Sequence, residues 1–391
     1  MTLRVAILVK QIPAFDELRL DERGRLDRSG PLEMNPYCRR AVAGGVELVA
    51  AHGGSLTVVT LGPPSAEDVL REAIAWATDR GVAARGLLVT DPEFAGSDTF
   101  ATARALAAAI RRIGPVDLLV AGRTTIDGET GQVPPQLAEL LDLPLLTGVR
   151  HWDLDRRRLE ATCEHDEGTV RARVRLPALV TTAERLTDPC KVDAPRRAGV
   201  PADRIDRIDA TALGRGPWGA AGSPTWVGPA RAVPVTRSGD RHPERSITEQ
   251  VDHAVSVLRA RRALDPAPPF LDTPTAIGPI SLEGPIVAVI AEPGRDPASR
   301  SLVALAARLA QRIDGHAAAI SFERESHGIG RGWARWGAGR SVEVSNATAE
   351  EDAAAAITAW AVEARPWGIL AASTTWGREV AARVAAAHRG V

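Results

Sequence analysis

The sequence predicts an α/β fold built on a doubly wound, mostly parallel sheet. Short apolar runs alternate with amphipathic helical patterns, which is typical of parallel strand–helix–strand units. Glycines and hydroxyl side chains follow several of the apolar runs, as at the ligand-binding edge of such sheets. The pattern begins again near residue 284, so we expect two related domains in a pseudo-symmetric arrangement.

Composition and charge restrict the class of protein. The 391 residues are 45% hydrophobic and 25% charged, which are ordinary values for a globular protein of two domains. The formal net charge is −1, so no nucleic acid partner is expected. The three cysteines form no C-x-x-C motif, and no apolar run is long enough to span a membrane. These observations predict a cytoplasmic protein.

The elements of the first half follow from apolar runs and capping signals. Asn35 is predicted to cap a helix running toward Val49, although its amide could also face a ligand. Ser65 is predicted to cap the next helix, with Asp68 completing a capping box. A solvent-edge hairpin is expected over 18–27 and antiparallel strands over 151–175. Buried strands are expected over 3–9, 54–61, 87–90, 116–120 and 176–182.

The second half divides into a linker and a second domain. Proline and glycine become frequent after residue 193, and one helix is predicted over 247–263. We therefore assign 1–235 to a first domain, 236–283 to a bridging helix and linker, and 284–391 to a second domain. The predicted strands of the second domain are 286–291, 317–322, 342–344 and 368–372, with helices over 297–313 and 350–364.

Residues 116–141 (VDLLVAGRTTIDGETGQVPPQLAELL) form the stretch most suggestive of a binding site. A buried strand leads through a loop of glycines, hydroxyls and acids into an amphipathic helix. The free N–H groups and dipole of a helix start favour a phosphate at such a loop. The stretch matches neither the Walker nor the G-x-G-x-x-G pattern, so an ordinary strand–helix turn is the alternative.

The chain also carries an internal echo of this stretch. WGILAASTTWGREVAARVAAAH at 367–388 repeats the order of strand, small residue, hydroxyl pair and helix. PIVAVIAEPG at 285–294 likewise echoes LRVAILVKQI at 3–12. The second copy has no counterpart of the acidic glycine loop 127–130, so it keeps the scaffold more visibly than the site.

Several pieces in order resemble the β subunit of electron transfer flavoproteins over residues 1 to about 235. They include VAILVKQIP, MNPYCRRAV, FAGSDTFATARALAAAI, DLLVAGRTTIDGETGQVPPQLAE and LPALVTTAERLTDPCK. Residues 284–391 resemble the N-terminal domain of the α subunit of that family, chiefly through AASTTWGREVAARVA. The resemblance implies an adenine nucleotide α-hydrolase-like fold in each part.

The resemblance also implies a nucleotide site that holds FAD or AMP. The loop at 127–133 reads DGETGQV and resembles that of the electron-bifurcating branch, in which the β-type site takes a full FAD. No metal ligand set or catalytic set stands out among the histidines, cysteines and acids. The implied cofactor-binding residues are Leu8, Lys10, Asn35, Leu61, Gly62, Asp98, Thr99, Thr102, Gly122, Arg123, Thr125, Asp127, Gly128, Glu129, Thr130, Gly131, Gln132 and Val133. Capping alone would explain Asp98 but explains Thr102 poorly.

The family domains and motifs that this sequence contains or lacks predict its partners. The C-terminal α-subunit domain that carries the main FAD of the family is missing, so we expect either a separate chain that carries it or no such domain at all. Residues 185–195 (RLTDPCKVDAP) resemble the loop with which the family docks dehydrogenases and other flavin oxidoreductases. Cys190 lies in this loop and is expected to be an exposed or half-buried thiol without a redox role.

Three functions are consistent with these observations. The first is an electron carrier, rather than a turnover enzyme, that binds FAD or AMP and passes electrons between a dehydrogenase and an acceptor. The second is a non-redox scaffold that holds AMP and docks a flavin-bearing partner. The third is a universal-stress-type ATP sensor, because that fold is similar. The nucleotide released on denaturation separates the three.

Overall fold

The computed structural model describes residues 2–14, 20–21, 26–228, 239, 241–265, 282–322, 332–347 and 349–388. Within them lie one sheet of nine strands, one of four strands and a short two-stranded ribbon. The two larger sheets are mostly parallel, so the predicted α/β class is confirmed. No helix in these ranges has both the length and the apolar character needed to cross a membrane.

The first sheet and its helices occupy residues 3–213. The elements in chain order are β1 (Leu3–Leu8), β2 (Gln11–Pro13), β3 (Leu32–Met34), α1 (Pro36–His52), β4 (Gly54–Leu61), α2 (Glu67–Thr78), β5 (Ala84–Val89), α3 (Thr99–Ile113), β6 (Leu118–Gly122), α4 (Val133–Leu141), β7 (Leu145–Asp155), β8 (Arg158–His165), β9 (Gly168–Arg175), β10 (Ala178–Thr182), α5 (Ala194–Ala198), β11 (Ile205–Ile208) and α6 (Ala210–Leu213). The strand order in space is β11-β5-β4-β1-β6-β10-β7-β8-β9.

Strand β1 lies at the centre of the parallel part and separates two layers of helices. Val5 and Ile7 point into a core shared with α1 and α2. Ala6 and Leu8 point into the opposite core, shared with α3 and α4. This alternation is the period of two expected of a strand buried on both faces. Strand β1 is parallel to β4 on one side and to β6 on the other.

Strand β9 ends the large sheet. It pairs with β8 in antiparallel register, and no other strand within the described residues pairs with its second side. Arg171, Arg173 and Arg175 are exposed along it, and Arg173 forms an ion pair with Glu160 of β8 at 2.9 Å. The edge of the sheet is therefore strongly basic.

The second sheet repeats the plan of the first over residues 286–387. Its elements are β12 (Ile286–Ile290), α8 (Asp296–Arg312), β13 (His316–Phe322), β14 (Ala338–Val344), α9 (Glu350–Ala364), β15 (Gly368–Leu370) and α10 (Thr375–Ala387). The order β14-β13-β12-β15 corresponds to β5-β4-β1-β6 in the first sheet. The register agrees as well, because Val5 pairs with Leu118 and Val287 pairs with Gly368 at the echoed positions.

Equivalent helices meet where the two parts contact each other. Helix α10, which follows β15, packs against α4, which follows β6. Arg383 of α10 is 2% exposed and forms ion pairs with Glu379 at 3.2 Å and with Glu139 of α4 at 3.5 Å. Thr147 of β7 donates a hydrogen bond to Glu379 at 2.8 Å. We call this buried polar contact the seam.

Some local predictions were wrong. Ser65 does not cap α2, because its hydroxyl donates to Gln11 Oε1 at 3.2 Å and the helix begins after Ala66 without a side-chain cap. Asp68 instead forms an ion pair with Arg197 at 3.3 Å. Strand β11 was not predicted, since its four residues lie in the segment after residue 193 where proline and glycine become frequent.

Two other predictions reach beyond the described residues. Of the hairpin expected over 18–27, the described part contains one antiparallel bridge, between Leu20 and Leu26, and residues 18–19 and 22–25 lie outside it. Helix α7 (Ile247–Ala260) confirms the helix expected in the linker. The rest of the linker over 266–281 lies outside the described residues.

Candidate functional site

A crevice opens at the carboxyl ends of β1 and β6. The chain leaves β1 toward the layer that contains α1 and leaves β6 toward the layer that contains α4. The connections that follow the two neighbouring strands therefore lead to opposite sides of the sheet. Such a switch point is where open α/β sheets bind ligands. The loop between β6 and α4, residues 123–132, lies at this point and is called the crevice loop below.

Asn35 holds the crevice loop in place. Its Nδ2 donates to the carbonyl of Thr124 at 3.0 Å, and its Oδ1 accepts from the N–H of Ile126 at 3.2 Å. The side chain makes no capping bond to α1, so the predicted capping role was wrong. Asn35 is 0% exposed, and an amide there satisfies a buried donor and a buried acceptor of the loop at once.

A cluster of charges lies beside the loop. Lys10 Nζ contacts Asp127 Oδ1 at 2.9 Å and Oδ2 at 2.8 Å, and Arg28 Nη2 contacts Oδ2 at 3.3 Å. Burial opposes ionisation of Asp127, but the charge and hydrogen bond of Lys10 and a hydrogen bond from Thr125 hold its pKa below the ordinary value. Two cations therefore surround one buried carboxylate, which leaves positive charge at the crevice.

The starts of two helices lie next to each other in the crevice. Thr99, the first residue of α3, donates through Oγ1 to Gln132 Oε1 at 3.0 Å, and Gln132 immediately precedes α4. The loop reaches this point through left-handed backbone at Glu129 and Gly131, with φ values of 49° and 63°. Paired helix starts concentrate free N–H groups and positive dipole ends, which favours an anion such as a phosphate.

Asp98 is occupied by contacts within the protein. Its Oδ1 accepts from the N–H of Ala101 at 2.9 Å and so caps α3. Its Oδ2 accepts from the N–H of Thr225 at 3.0 Å and from the Thr225 hydroxyl at 2.7 Å. Asp98 therefore ties the segment around residue 225 to the helix start, and Thr102 lies half-buried on the next turn.

The glycines of the site differ in what they require. A Cβ on Gly122 would lie 2.8 Å from Tyr37 Cβ and 2.9 Å from its carbonyl carbon, so glycine is needed there for packing against α1. A Cβ on Gly62 would lie 3.0 Å from Ala66 Cβ. A Cβ on Gly128 would meet only Thr125 Oγ1, at 3.8 Å. The fold itself thus leaves room at Gly128.

One hydroxyl in the crevice loop has no protein partner. Thr124 Oγ1 is buried and makes no hydrogen bond to any residue that the structure describes. A buried polar atom without a partner costs free energy, so it favours a polar group supplied from outside the protein. The unpaired hydroxyl, the paired helix starts and the two cations fit the phosphate and ribose of a nucleotide.

The structure brings the predicted site residues to one edge of the sheet. Leu8 and Leu61 end β1 and β4, where their side chains join the α3 face of the core, and Val133 begins α4. Thr130 Oγ1 accepts weakly from the N–H of Gln132 at 3.5 Å. Arg28 and Thr124 were missed. Arg28 follows a charged segment interpreted as a solvent edge, and no sequence signal singled it out.

A cavity of about 420 Å³ continues from the crevice loop toward the second sheet. Arg123 of the loop lines it, and its guanidinium lies 5.9 Å from the ring centroid of Tyr37. Tyr37 donates to Glu184 Oε1 at 2.9 Å, and burial together with this carboxylate raises the pKa of Tyr37. The other lining residues are Arg150, Glu164, His165, Asp166, Gly168, Thr169, Glu184, Arg185 and Thr375.

Buried groups of α1 and α2 hold the segment 185–195 in place. Cys190 is 0% exposed, so the expectation of an exposed or half-buried thiol was wrong, and burial raises the pKa of this thiol. Its N–H donates to the Arg39 carbonyl at 3.2 Å, and Arg39 Nη1 donates back to the Cys190 carbonyl at 3.2 Å. Glu72 accepts from the N–H of Val192 at 3.3 Å. Asp188 and Pro189 remain exposed at the tip.

No group of three or more histidines, cysteines or acids within the described ranges is arranged to hold a metal ion. The crevice combines the starts of α3 and α4 with the charges of Lys10 and Arg28, and the cavity lined by Arg123 lies beside its loop.

Comparison with known proteins identifies relatives that are similar in sequence. The profile of the electron transfer flavoprotein domain family matches residues 24–210. The electron transfer flavoprotein subunit beta of Thermoanaerobacterium thermosaccharolyticum is 33% identical over 270 residues, 67% of this chain and 100% of that relative. Protein FixA of Azotobacter vinelandii is 40% identical over 186 residues, 46% of this chain and 64% of that protein.

A further relative is named as a subunit of a larger complex. The caffeyl-CoA reductase-Etf complex subunit CarD of Acetobacterium woodii is 34% identical over 190 residues, 48% of this chain and 71% of that protein. The full-length match to a β subunit, together with the central parallel sheet, confirms the resemblance found for the first part. The chain belongs to the electron transfer flavoprotein family and is a subunit of the β type.

Proposed function

We propose that this electron transfer flavoprotein subunit binds FAD in the crevice between β1 and β6 and carries electrons between a dehydrogenase and an acceptor. The observation that carries the proposal is the crevice loop, with its unpaired buried Thr124 hydroxyl beside two helix starts. In this role the protein is an electron carrier and not a turnover enzyme.

The residues of the crevice have separate tasks in binding. The starts of α3 and α4, together with Lys10 and Arg28, compensate the charge of the phosphates. Asn35 keeps the loop in the conformation that binds them. When bound, FAD supplies a ring system that accepts and releases electrons. Arg123 places a positive charge beside that ring and raises its reduction potential by stabilising the reduced, more negative form.

The size of the pocket favours FAD over AMP. The helix starts alone are sufficient to bind the phosphate of a nucleoside monophosphate. The cavity of about 420 Å³ beside Arg123 is additional space that could hold a further ring system, such as that of FAD. The similarity of loop 127–133 to the electron-bifurcating branch supports the same choice. We therefore include membership of that branch in the proposal.

The released ligand tests the proposal directly. Protein purified without added cofactor is denatured, and the released small molecules are identified by mass spectrometry and absorbance. About one FAD per chain supports the carrier function. A colourless protein that releases AMP supports the scaffold instead, and ATP supports the stress-type sensor. Either of these two results would exclude FAD as the resident ligand.

Partners form the second part of the proposal. Residues 284–391 act as an α-type N-terminal domain, 236–283 join them to the β-type domain 1–235, and a separate chain supplies the domain with the main FAD. The exposed tip at Asp188 and Pro189, on its buried anchor, docks the dehydrogenase. Asp188→Arg should then slow electron transfer from the dehydrogenase while leaving the released ligand unchanged. An unchanged transfer rate would exclude this docking site.

We further propose a cytoplasmic location. All three cysteines, Cys38, Cys163 and Cys190, are buried free thiols. Free thiols without disulfides are typical of proteins that work in a reducing compartment. Fractionation of the source cells with an antibody against the chain tests this location.

A further inference from the structure

The second sheet has its own version of the crevice. The N–H of Val9 donates to the carbonyl of Val59 at 2.9 Å, and at the equivalent place Ala291 donates to Ile320 at 2.8 Å. The next residue along the chain is therefore equivalent in the two copies. It is Lys10 in the first copy and an acid, Glu292, in the second.

This acid changes the charge of the second crevice. Glu292 is 7% exposed and accepts a hydrogen bond from the hydroxyl of Thr374 at 2.5 Å. Thr374 in turn accepts from the N–H of Gly377 and caps α10. A phosphate at this helix start would lie beside a buried carboxyl group where the first crevice offers an ammonium group. Glu292 therefore supplies no cation that could compensate the charge of a phosphate at this helix start.

A carboxylate of the first part already occupies the start of α10. Asp166, in the turn between β8 and β9, accepts from the N–H of Thr375 through Oδ2 at 2.6 Å. Burial opposes its ionisation, but hydrogen bonds from the backbone and side chain of Thr375 hold the pKa of Asp166 below the ordinary value. An ionised carboxylate thus sits where an anion is favoured by a helix start.

The neighbouring residue of the turn makes a second contact. Glu167 lies 3.5 Å from Arg295, which is also 3.5 Å from Glu292. Arg295 therefore balances acids from both parts. A cavity of about 300 Å³ lies under the turn, bounded by His165–Val170 on one side and by Pro293 and Trp376 on the other. The turn thus contacts the segments that follow β12 and β15, at Arg295 and Thr375.

We propose that the second crevice is a docking socket for the β8–β9 turn, with Asp166 bound in place of a nucleotide phosphate. The second copy keeps the helix start that bound an anion and uses it to hold the two parts of the chain together. It binds no nucleotide. The proposal rests on the contacts around α10 and not on the identity of the nucleotide, although Asp166 and Thr375 also line the cavity beside Arg123.

Amide hydrogen exchange of the full chain tests the socket. In Asp166→Ala the N–H of Thr375 loses a charge-assisted hydrogen bond, so its exchange should accelerate about ten- to a hundredfold. Asp166→Asn keeps a neutral acceptor and should give an intermediate rate. Asp155→Ala, at the opposite end of the β8 hairpins, serves as the matched control and should leave Thr375 unchanged. Equal exchange of Thr375 in the wild type and Asp166→Ala would overturn the proposal.

Titration with inorganic phosphate or AMP provides the second readout. The amide NMR signals of residues 376–378, which do not line the cavity beside Arg123, should not move in the wild-type chain, because Asp166 already occupies the start of α10. A saturable shift of these signals would show an anion bound in the second crevice and would refute the socket. Shifts confined to residues 123–133 report on the first crevice alone, so they separate a failure of the proposed function from a failure of the socket.

Discussion

A buried carboxyl group in the seam gives the protein a specific pH dependence. Burial and the charge of Glu350 raise the pKa of Glu379 from an ordinary 4.5 to about 7, in spite of the nearby Arg383. A folded-state pKa above the unfolded value contributes stability that is present below pH 4.5 and is lost as pH rises through about 7. At about 1.4 kcal/mol for each pKa unit, the loss is about 3 kcal/mol.

Glu379→Gln should remove most of this loss. The amide cannot ionise and still accepts the hydrogen bond that Thr147 donates to the carboxylate in the wild type. The free energy of unfolding of the variant should therefore decline less between about pH 5 and about pH 8, by about 3 kcal/mol. The pKa values of Glu292 and Glu351 are also raised by burial, so a smaller decline remains.

Urea unfolding followed by tryptophan fluorescence at several pH values measures this difference. Glu160→Gln changes an exposed glutamate of β8 and serves as the control, with the same decline as the wild type. If Glu379→Gln and the wild type lose stability in parallel as pH rises, the carboxyl group of Glu379 does not titrate in this range. The reasoning from burial at the seam would then be wrong.

Three further predictions concern the crevice. Gly128→Val should abolish ligand retention at a Tm close to that of the ligand-free wild type, because the fold has room for a side chain there, and ligand at full stoichiometry would refute the phosphate site. Gly131→Ala, with φ at 63°, is the contrasting variant and should cost about 1 kcal/mol of stability by urea unfolding. Asn35→Ala removes two bonds to the crevice loop, so the free energy of unfolding should fall by about 2 kcal/mol, and a change within error would exclude the clamp. Lys10→Met should raise the depressed pKa of Asp127. The ionised carboxylate contributes to folding stability above pH 3.8, and this contribution is lost as pH falls, so acid unfolding of the variant should begin at a higher pH. An unchanged midpoint of acid unfolding would contradict the ion pair.

The sheet was predictable because its signals are local. Strand β1 and strand β4 are short apolar runs followed by turn residues, and the start of α4 follows from Pro134 and the glycine loop. The echo between 3–12 and 285–294 indicated the repeat, and the matching registers of the two sheets follow from it. Periodicity and turn chemistry act over a few residues, which a sequence displays directly.

The contacts of the site were harder to predict because they join distant residues. Asn35 has the sequence context of a cap, yet its side chain binds a loop 89 and 91 residues away. Cys190 lies in a polar segment and is buried only because Arg39 and Glu72 hold that segment down. Local signals such as capping context and polarity predict one set of partners for these side chains, whereas the fold offers another set through tertiary hydrogen bonds. The tertiary hydrogen bonds form because buried polar groups must be satisfied.

The basic edge strand β9 has a consequence for self-association. An open strand edge is a template on which another chain can add a strand. If a second copy added its β9 in antiparallel register, the exposed Arg171, Arg173 and Arg175 of the two chains would lie close together. Like charges facing each other across strands are destabilising. The arginines thus protect the β9 border of the nine-stranded sheet from growing into a continuous sheet between molecules.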